Sequence, residues 1–121
     1  MAEGYLRRFA GEKAEVFSAG VETRPLNERA VKSMKDDGID ISHHTSKLAS
    51  TFDGARFDFV ITVCDNAREQ CPYFPGSVQV HHDFPDPTDA KGTEQEIENA
   101  FRETRNLIRK FSRSFVEENL R

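Results

Sequence analysis

Cys64 and Cys71 are the only two cysteines in the chain, with six residues between them. The run Val63-Cys64-Asp65-Asn66-Ala67-Arg68-Glu69-Gln70-Cys71-Pro72 reads as a loop that follows a buried strand. Thiol–disulfide exchange needs an attacking thiolate and a second thiol that can reach it. A six-residue spacer can fold as a helical turn plus a bend, or extend and part the thiols, so the loop suits a switch between reduced and oxidised forms. The alternative reading is one buried core cysteine and one incidental surface cysteine. Cys-x6-Cys is not a usual structural zinc spacing. The histidines lie in two adjacent pairs, His43-His44 and His81-His82. Neighbours on a strand or loop point apart, so each pair offers one side chain inward, and no metal site is expected.

A second candidate is Asp86, in Phe84-Pro85-Asp86-Pro87. Prolines restrict the backbone on both sides. A carboxylate held this way after a strand is suited to donate a proton to a leaving group; a plain turn aspartate is the alternative. Glu3, Ser18 and Lys47 are individually ordinary. Ser18 ends a strand, and Lys47 is a lone basic side chain in a polar loop, exposed by default.

These residues must be placed by the elements around them. Met1, Ala2, Tyr5, Leu6 and Phe9 have helical spacing. Ala14 to Gly20 reads as a strand. A helix follows from Asn27 to Asp37, with Ala30, Val31 and Met34 inward and Gly38 as its stop. Ile39 to Ile41 is a short extended piece, 42–46 a polar loop, and Leu48 to Phe52 a helical turn. Phe57 to Val63 is the clearest strand, and its continuous apolar run suits a parallel strand covered on both faces. Asp65 to Gln70 is a short helix or turn, Val78 to Val80 another strand, and Asp83 to Gly92 a proline-bearing loop. Thr93 to Glu118 is one long helix, opened by a Thr93–Glu96 capping box. Ile97, Ala100, Phe101, Thr104, Ile108, Phe111 and Phe115 line its inner face. Alternating strands and helices give an α/β fold, an open parallel sheet with helices on both faces. At 121 residues this is one domain, spanning residues 1–121.

With 36% hydrophobic and 31% charged residues the composition is that of a soluble globular chain. A net charge of -4 and no long basic run argue against a nucleic-acid partner. No stretch approaches the ~20 apolar residues of a membrane span. With no leader read, the expected compartment is cytoplasmic and reducing, where the two thiols are free or transiently paired.

Several blocks together resemble the thioredoxin-coupled arsenate reductases, which share the low-molecular-weight tyrosine phosphatase fold. They are Met1-Ala-Glu-Gly4, Val16-Phe-Ser-Ala-Gly20, Gly38-Ile-Asp-Ile-Ser42, His44-Thr-Ser46, Val60-Ile-Thr-Val-Cys64-Asp-Asn-Ala67, Cys71-Pro72, Phe74-Pro-Gly76, Asp86-Pro87 and Gly92-Thr93-Glu94. The resemblance implies that a nucleophilic cysteine in an anion-cradling Cys-x5-Arg loop attacks arsenate while Asp86 acts as general acid. Cys64 then attacks the cysteine–arsenic adduct, Cys71 resolves the disulfide that results, and thioredoxin reduces the final pair. Glu3 and Ser18 match positions that help hold a structural potassium ion in some members. Lys47 falls where those members have an acid; its ammonium replaces the cation, so neither potassium nor any cofactor is expected.

The family's first strand, central in its sheet between the strands near Val16 and Val60, and its nucleophile loop match nothing in these residues. The expectation is therefore an N-terminally truncated domain with its first central strand missing, which binds a tetrahedral oxyanion only if that loop is supplied. Either Met1 is an internal methionine of a longer, active chain, or the unpaired strand edges are completed by a partner or by a homo-oligomer or strand-swapped dimer. The competing readings are a non-catalytic thiol-switch module and a low-molecular-weight tyrosine phosphatase-like protein.

Overall fold

The computed structural model describes residues 1–19, 27–44, 47–52, 55–63, 74 and 76–120. The chain divides into two compact units, one of Met1–Phe17, Leu26–Thr45 and Pro85–Arg121, the other of Ser18–Pro25 and Ser46–Phe84.

The first unit holds three helices: α1 (Ala2–Ala10), α2 (Glu28–Asp36) and α3 (Glu94–Asn119), with 3₁₀ turns at Gly11–Lys13 and Pro87–Asp89. The helix starts follow the local chemistry read from the sequence. The Asn27 side chain accepts from the amides of Arg29 and Ala30, and the Thr93 hydroxyl accepts from that of Glu96. Helix α2 ends as its sequence dictates. Gly38 takes φ 81°, the Gly38 amide donates to Lys35 O and the Ile39 amide to Met34 O, a Schellman closure that a side chain at Gly38 would strain.

Helix α3 is the spine on which α1, α2 and the Pro87–Asp89 turn pack. It buries Phe101, Thr104, Ile108, Ser112, Phe115 and Val116. Phe101, Thr104, Ile108 and Phe115 are where the spacing puts them, whereas Ile97, Ala100 and Phe111 are only half-buried. On α2, Met34 is fully buried, and Ala30 and Val31 are half-buried. Gly4 lets α1 close onto the segment after α2: a Cβ there would stand 3.0 Å from both Ile41 Cγ2 and Met34 Cε.

A polar tie joins the three helices. The Tyr5 hydroxyl donates to Asp37 Oδ2 at 2.5 Å, Arg109 Nη1 reaches both Asp37 oxygens at 3.0 and 3.1 Å, and Arg105 Nη1 donates to Ser33 O at 2.9 Å. Tyr5 is 1% exposed. Its hydrogen bond is the main reason the Asp37 carboxyl lies below the ordinary aspartate range; burial opposes the shift, and Arg109 and Arg105 add to it. Arg29–Glu94 and Lys32–Glu98 bridge α2 to α3 at the surface, where such pairs contribute little.

The second unit contains a 3₁₀ turn, Ala49–Phe52, and two strands, β1 (Phe59–Thr62) and β2 (Val78–His81). The strands are parallel, with Phe59 opposite Val78 and Thr62 opposite His81. Backbone bonds continue past both ends: Val78 N to Asp58 O at 2.8 Å, His82 N to Thr62 O at 2.9 Å and Phe84 N to Val63 O at 3.0 Å. The α/β class with a parallel sheet is as expected. The strand expected at Ala14 to Gly20 is not: residues 14–19 form no strand, and Gly20 lies outside the described residues. Ala14 is extended, with φ -153° and ψ 153°, so the local preference is expressed. A strand also needs a ladder partner, and among the described residues only two strands pair. The resemblance puts the neighbour of this segment in a strand that matches none of these residues.

Two substitutions test the helical packing. Tyr5→Phe should destabilise by about 1–2 kcal/mol at neutral pH, through loss of a hydrogen bond to a charged partner. The Asp37 contribution is present above the ordinary carboxylate pKa and is lost as pH falls through its depressed value, so denaturation should show the gap between the two proteins narrowing below about pH 4. Ser112 is fully buried and, among the described residues, its hydroxyl has no hydrogen-bond partner; Ser112→Ala should stabilise by about 1 kcal/mol in the same assay.

Candidate thiol-relay site

Strand β1 delivers the chain to the first thiol. In open α/β sheets, sites lie beyond the C-terminal ends of the strands, and Val63, one residue past β1, is still held by the Phe84 amide. Cys64 follows it, and both Cys64 and Cys71 lie outside the described residues, as do Asp65 to Gln70. The chain returns to description at Phe74, which is 6% exposed. The Phe74 and Phe57 rings meet edge to face at 5.2 Å, and the Phe57 and Phe52 rings at 5.9 Å. Phe74 O accepts from Ser77 Oγ at 2.7 Å and from the Ser77 amide at 3.3 Å.

Sequence reasoning missed a polar pair at this strand end. Thr62 Oγ1 and His81 Nδ1 are 2.7 Å apart, across directly opposed positions of the ladder. Only the strand register could have revealed it. His81 is half-buried and His82 exposed; His44 is half-buried and His43 exposed. Each pair thus offers one side chain inward.

Asp86 is exposed and begins the Pro87–Asp89 turn. Its Oδ1 accepts from the Thr88 amide at 2.9 Å and from Thr88 Oγ1 at 2.6 Å. Pro87 suits the first position of that turn, where no amide donor is needed. The backbone restriction expected from the flanking prolines is therefore joined by a side-chain restriction that the sequence did not signal.

Glu3 belongs to the helical unit; Ser18 and Lys47, both exposed, belong to the other. Glu3 Oε2 lies 3.2 Å from Arg7 Nε and 3.4 Å from His44 Nδ1. Burial pushes the His44 imidazole below its ordinary value; Glu3 opposes this, while His43 and Arg7 reinforce it. The Glu3 carboxylate thus faces a guanidinium and an imidazole, both of its own unit. Among the described residues, no group of three or more His, Cys, Asp or Glu could hold a metal ion, and no helix is long and apolar enough to cross a membrane.

The model of the low molecular weight phosphotyrosine protein phosphatase family matches residues 1–121. An arsenate reductase of Halalkalibacterium halodurans is 40% identical over 118 residues, 97% of this chain and 85% of the relative, and one of Bacillus subtilis is 40% identical over the same shares. A solved structure described as an arsenate reductase in the oxidized state superposes with a TM-score of 0.81 at 24% identity, over 97% of this chain and 86% of that one, a likeness of fold. The chain belongs to the low-molecular-weight phosphatase family and, within it, to the arsenate reductases.

Because Asp86 caps its turn, Asp86→Ala should cost about 1 kcal/mol in chemical denaturation whatever its role in chemistry, and Asp86→Asn, which keeps a side-chain acceptor, should recover most of the loss.

Proposed function

We propose that the chain is a single domain carrying the relay and acid residues of an arsenate reductase, and that it acts in a reducing, cytoplasmic compartment. What carries this reading is the 40% identity to arsenate reductases across 97% of the chain. It is supported by a parallel strand that ends one residue before Val63, and so two before Cys64.

In the full reaction, a cysteine outside these residues bonds to arsenic, and Asp86 protonates the oxygen that leaves arsenate. The Cys64 thiolate attacks the cysteine sulfur of the adduct. The S–As bond breaks, its electron pair stays on arsenic, and arsenite departs as As(III). The two sulfurs are now joined as a disulfide. Cys71 attacks Cys64 and releases the first cysteine as a thiol, and thioredoxin reduces the Cys64–Cys71 bond. The two electrons gained by arsenic are those lost by the two thiols that form the first disulfide.

The 121-residue chain has two cysteines, and this route uses three. The two cysteines it has are those of the relay, and by themselves they do not turn over arsenate by this route. A non-catalytic thiol-switch module is the second reading, favoured by the same cysteine count.

The test uses the purified chain. Mild oxidation with one equivalent of diamide should remove both thiols in titration, and reduced thioredoxin should restore both. Cys64→Ser should leave one thiol that neither treatment changes within the monomer. Arsenate should cause no oxidation of reduced thioredoxin. Arsenate-dependent oxidation that disappears in Cys64→Ser would overturn the no-turnover assignment, and failure to form the intramolecular disulfide would overturn the relay.

A further inference from the structure

Helices α2 and α3 run side by side in the same direction, because their contacts advance together. Arg29 meets Glu94, Lys32 meets Glu98, Ser33 meets Arg105 and Asp37 meets Arg109. A cavity of about 320 Å³ lies in the groove between them, within the size range of small-ligand sites. All the residues that line it belong to the helical unit. Its two ends differ in how their charges are satisfied. Towards the helix starts, Arg29–Glu94 and Lys32–Glu98 pair across the groove, and Glu28 stands beside the first of these pairs. The other end is lined by Ser33, Asp36, Phe101, Arg102 and Arg105. Among the described residues, Asp36, Arg102 and Arg105 have no ion-pair partner there, and they do not pair with one another.

The polar groups at this end have capacity left over. Ser33 is 8% exposed, and among the described residues its shielded hydroxyl has no hydrogen-bond partner. A hydroxyl left in that state carries a desolvation cost that a bound acceptor would relieve. Arg105 spends Nη1 on Ser33 O, and Nε and Nη2 on Asn106 Oδ1; Arg102 spends Nη2 on Asn99 Oδ1. A guanidinium has five N–H donors, so both arginines keep some unspent. One small space is therefore lined by unpaired charge of both signs. A free dianion would be drawn to the guanidiniums and opposed by Asp36, and a cation would meet the reverse. A ligand that carries both charges satisfies both walls.

We propose that this end of the α2–α3 groove binds a small α-amino acid as its zwitterion. The ligand carboxylate accepts from Arg102 and Arg105, with the Ser33 hydroxyl as a further donor. Its ammonium faces Asp36, and its side chain lies toward Phe101, which is 3% exposed. The site belongs to the helical unit alone and does not depend on the thiol chemistry.

The experiment titrates L-alanine into the full chain, labelled with ¹⁵N, at fixed ionic strength, and follows the backbone amides of α2 and α3. Propionate and ethylammonium, each lacking one of the two charges, are titrated in parallel. Alanine should give saturable shifts at Ser33, Asp36, Arg102 and Arg105, and each half-ligand should bind at least about fivefold more weakly, the worth of one net hydrogen bond. Arg102→Ala and Ser33→Ala should each weaken alanine about fivefold. Ser33→Ala removes an unpaired hydroxyl, so its denaturation midpoint should not fall, which separates lost binding from lost structure. Asp36→Asn should weaken alanine and leave propionate no weaker. The absence of saturable shifts with alanine would overturn the site, as would wild-type affinity in both Arg102→Ala and Ser33→Ala. Propionate or ethylammonium binding as tightly as alanine would overturn the zwitterion assignment.

Discussion

A parallel strand cannot close its own hydrogen bonds or borrow them from a hairpin neighbour; it depends on a strand reached only after a long crossover. That constraint governs the chemistry-bearing part of this chain. β1 and β2 are four residues each and satisfy each other along one edge. The backbone that leads to Cys64 is ordered because residues 82–84 continue the ladder as far as Val63. Residues 14–19 have no ladder partner among the described residues and form no strand, although Ala14 is extended. The two segments also differ in composition: β1 is Phe-Val-Ile-Thr throughout, whereas residues 14–19 hold only Val16 and Phe17 of the types that favour strands.

The helical unit is built on the opposite principle. Its helices close their backbone bonds internally, so α1, α2 and α3 need one another only for side-chain burial and for a few polar ties. The Tyr5–Asp37–Arg109 group joins residues of α1, the end of α2 and α3. A buried hydroxyl and a guanidinium both satisfy the same carboxylate, which makes the tie cooperative: removing either partner leaves the others worse paired in a site of reduced dielectric. Gly4 complements it by allowing α1 to approach Ile41 and Met34 so closely that a Cβ would require their side chains to shift.

Legibility in the sequence followed the same division. Local rules gave the helices: the Asn27 and Thr93 caps, the Gly38 closure and most of the α3 stripe are set by residues within a few positions of one another. Ser112 and Val116 were missed because a serine does not count as apolar and because the buried face of a long helix drifts from one side of a heptad to the other. The register of β1 against β2, the Thr62–His81 pair and the Asp37 tie all join residues far apart in the chain, and no pattern in a single sequence encodes them. Cys64 and Cys71 lie outside the described residues, so the reading of them rests on their spacing, which left two alternatives open, and on the family blocks around them.

Asp86 shows how one side chain can cap a turn and still leave an oxygen for the proton transfer proposed for it. Its two oxygens divide the tasks. Oδ1 accepts both hydrogen bonds from Thr88, and among the described residues Oδ2 accepts none. In the ionised carboxylate this caps the turn. In the neutral acid a proton on Oδ2 leaves Oδ1 as the carbonyl oxygen, still able to accept both Thr88 donors. The cap therefore survives protonation, and the turn need not rearrange when the proton is gained or lost. Pro85 and Pro87 fix the backbone on either side, so the Oδ2 position is set by three neighbouring residues rather than by the surroundings of a leaving group. A general acid gains from such an arrangement because its donor atom is oriented before substrate arrives. The same arrangement explains why an exposed loop aspartate can be held as closely as a buried one.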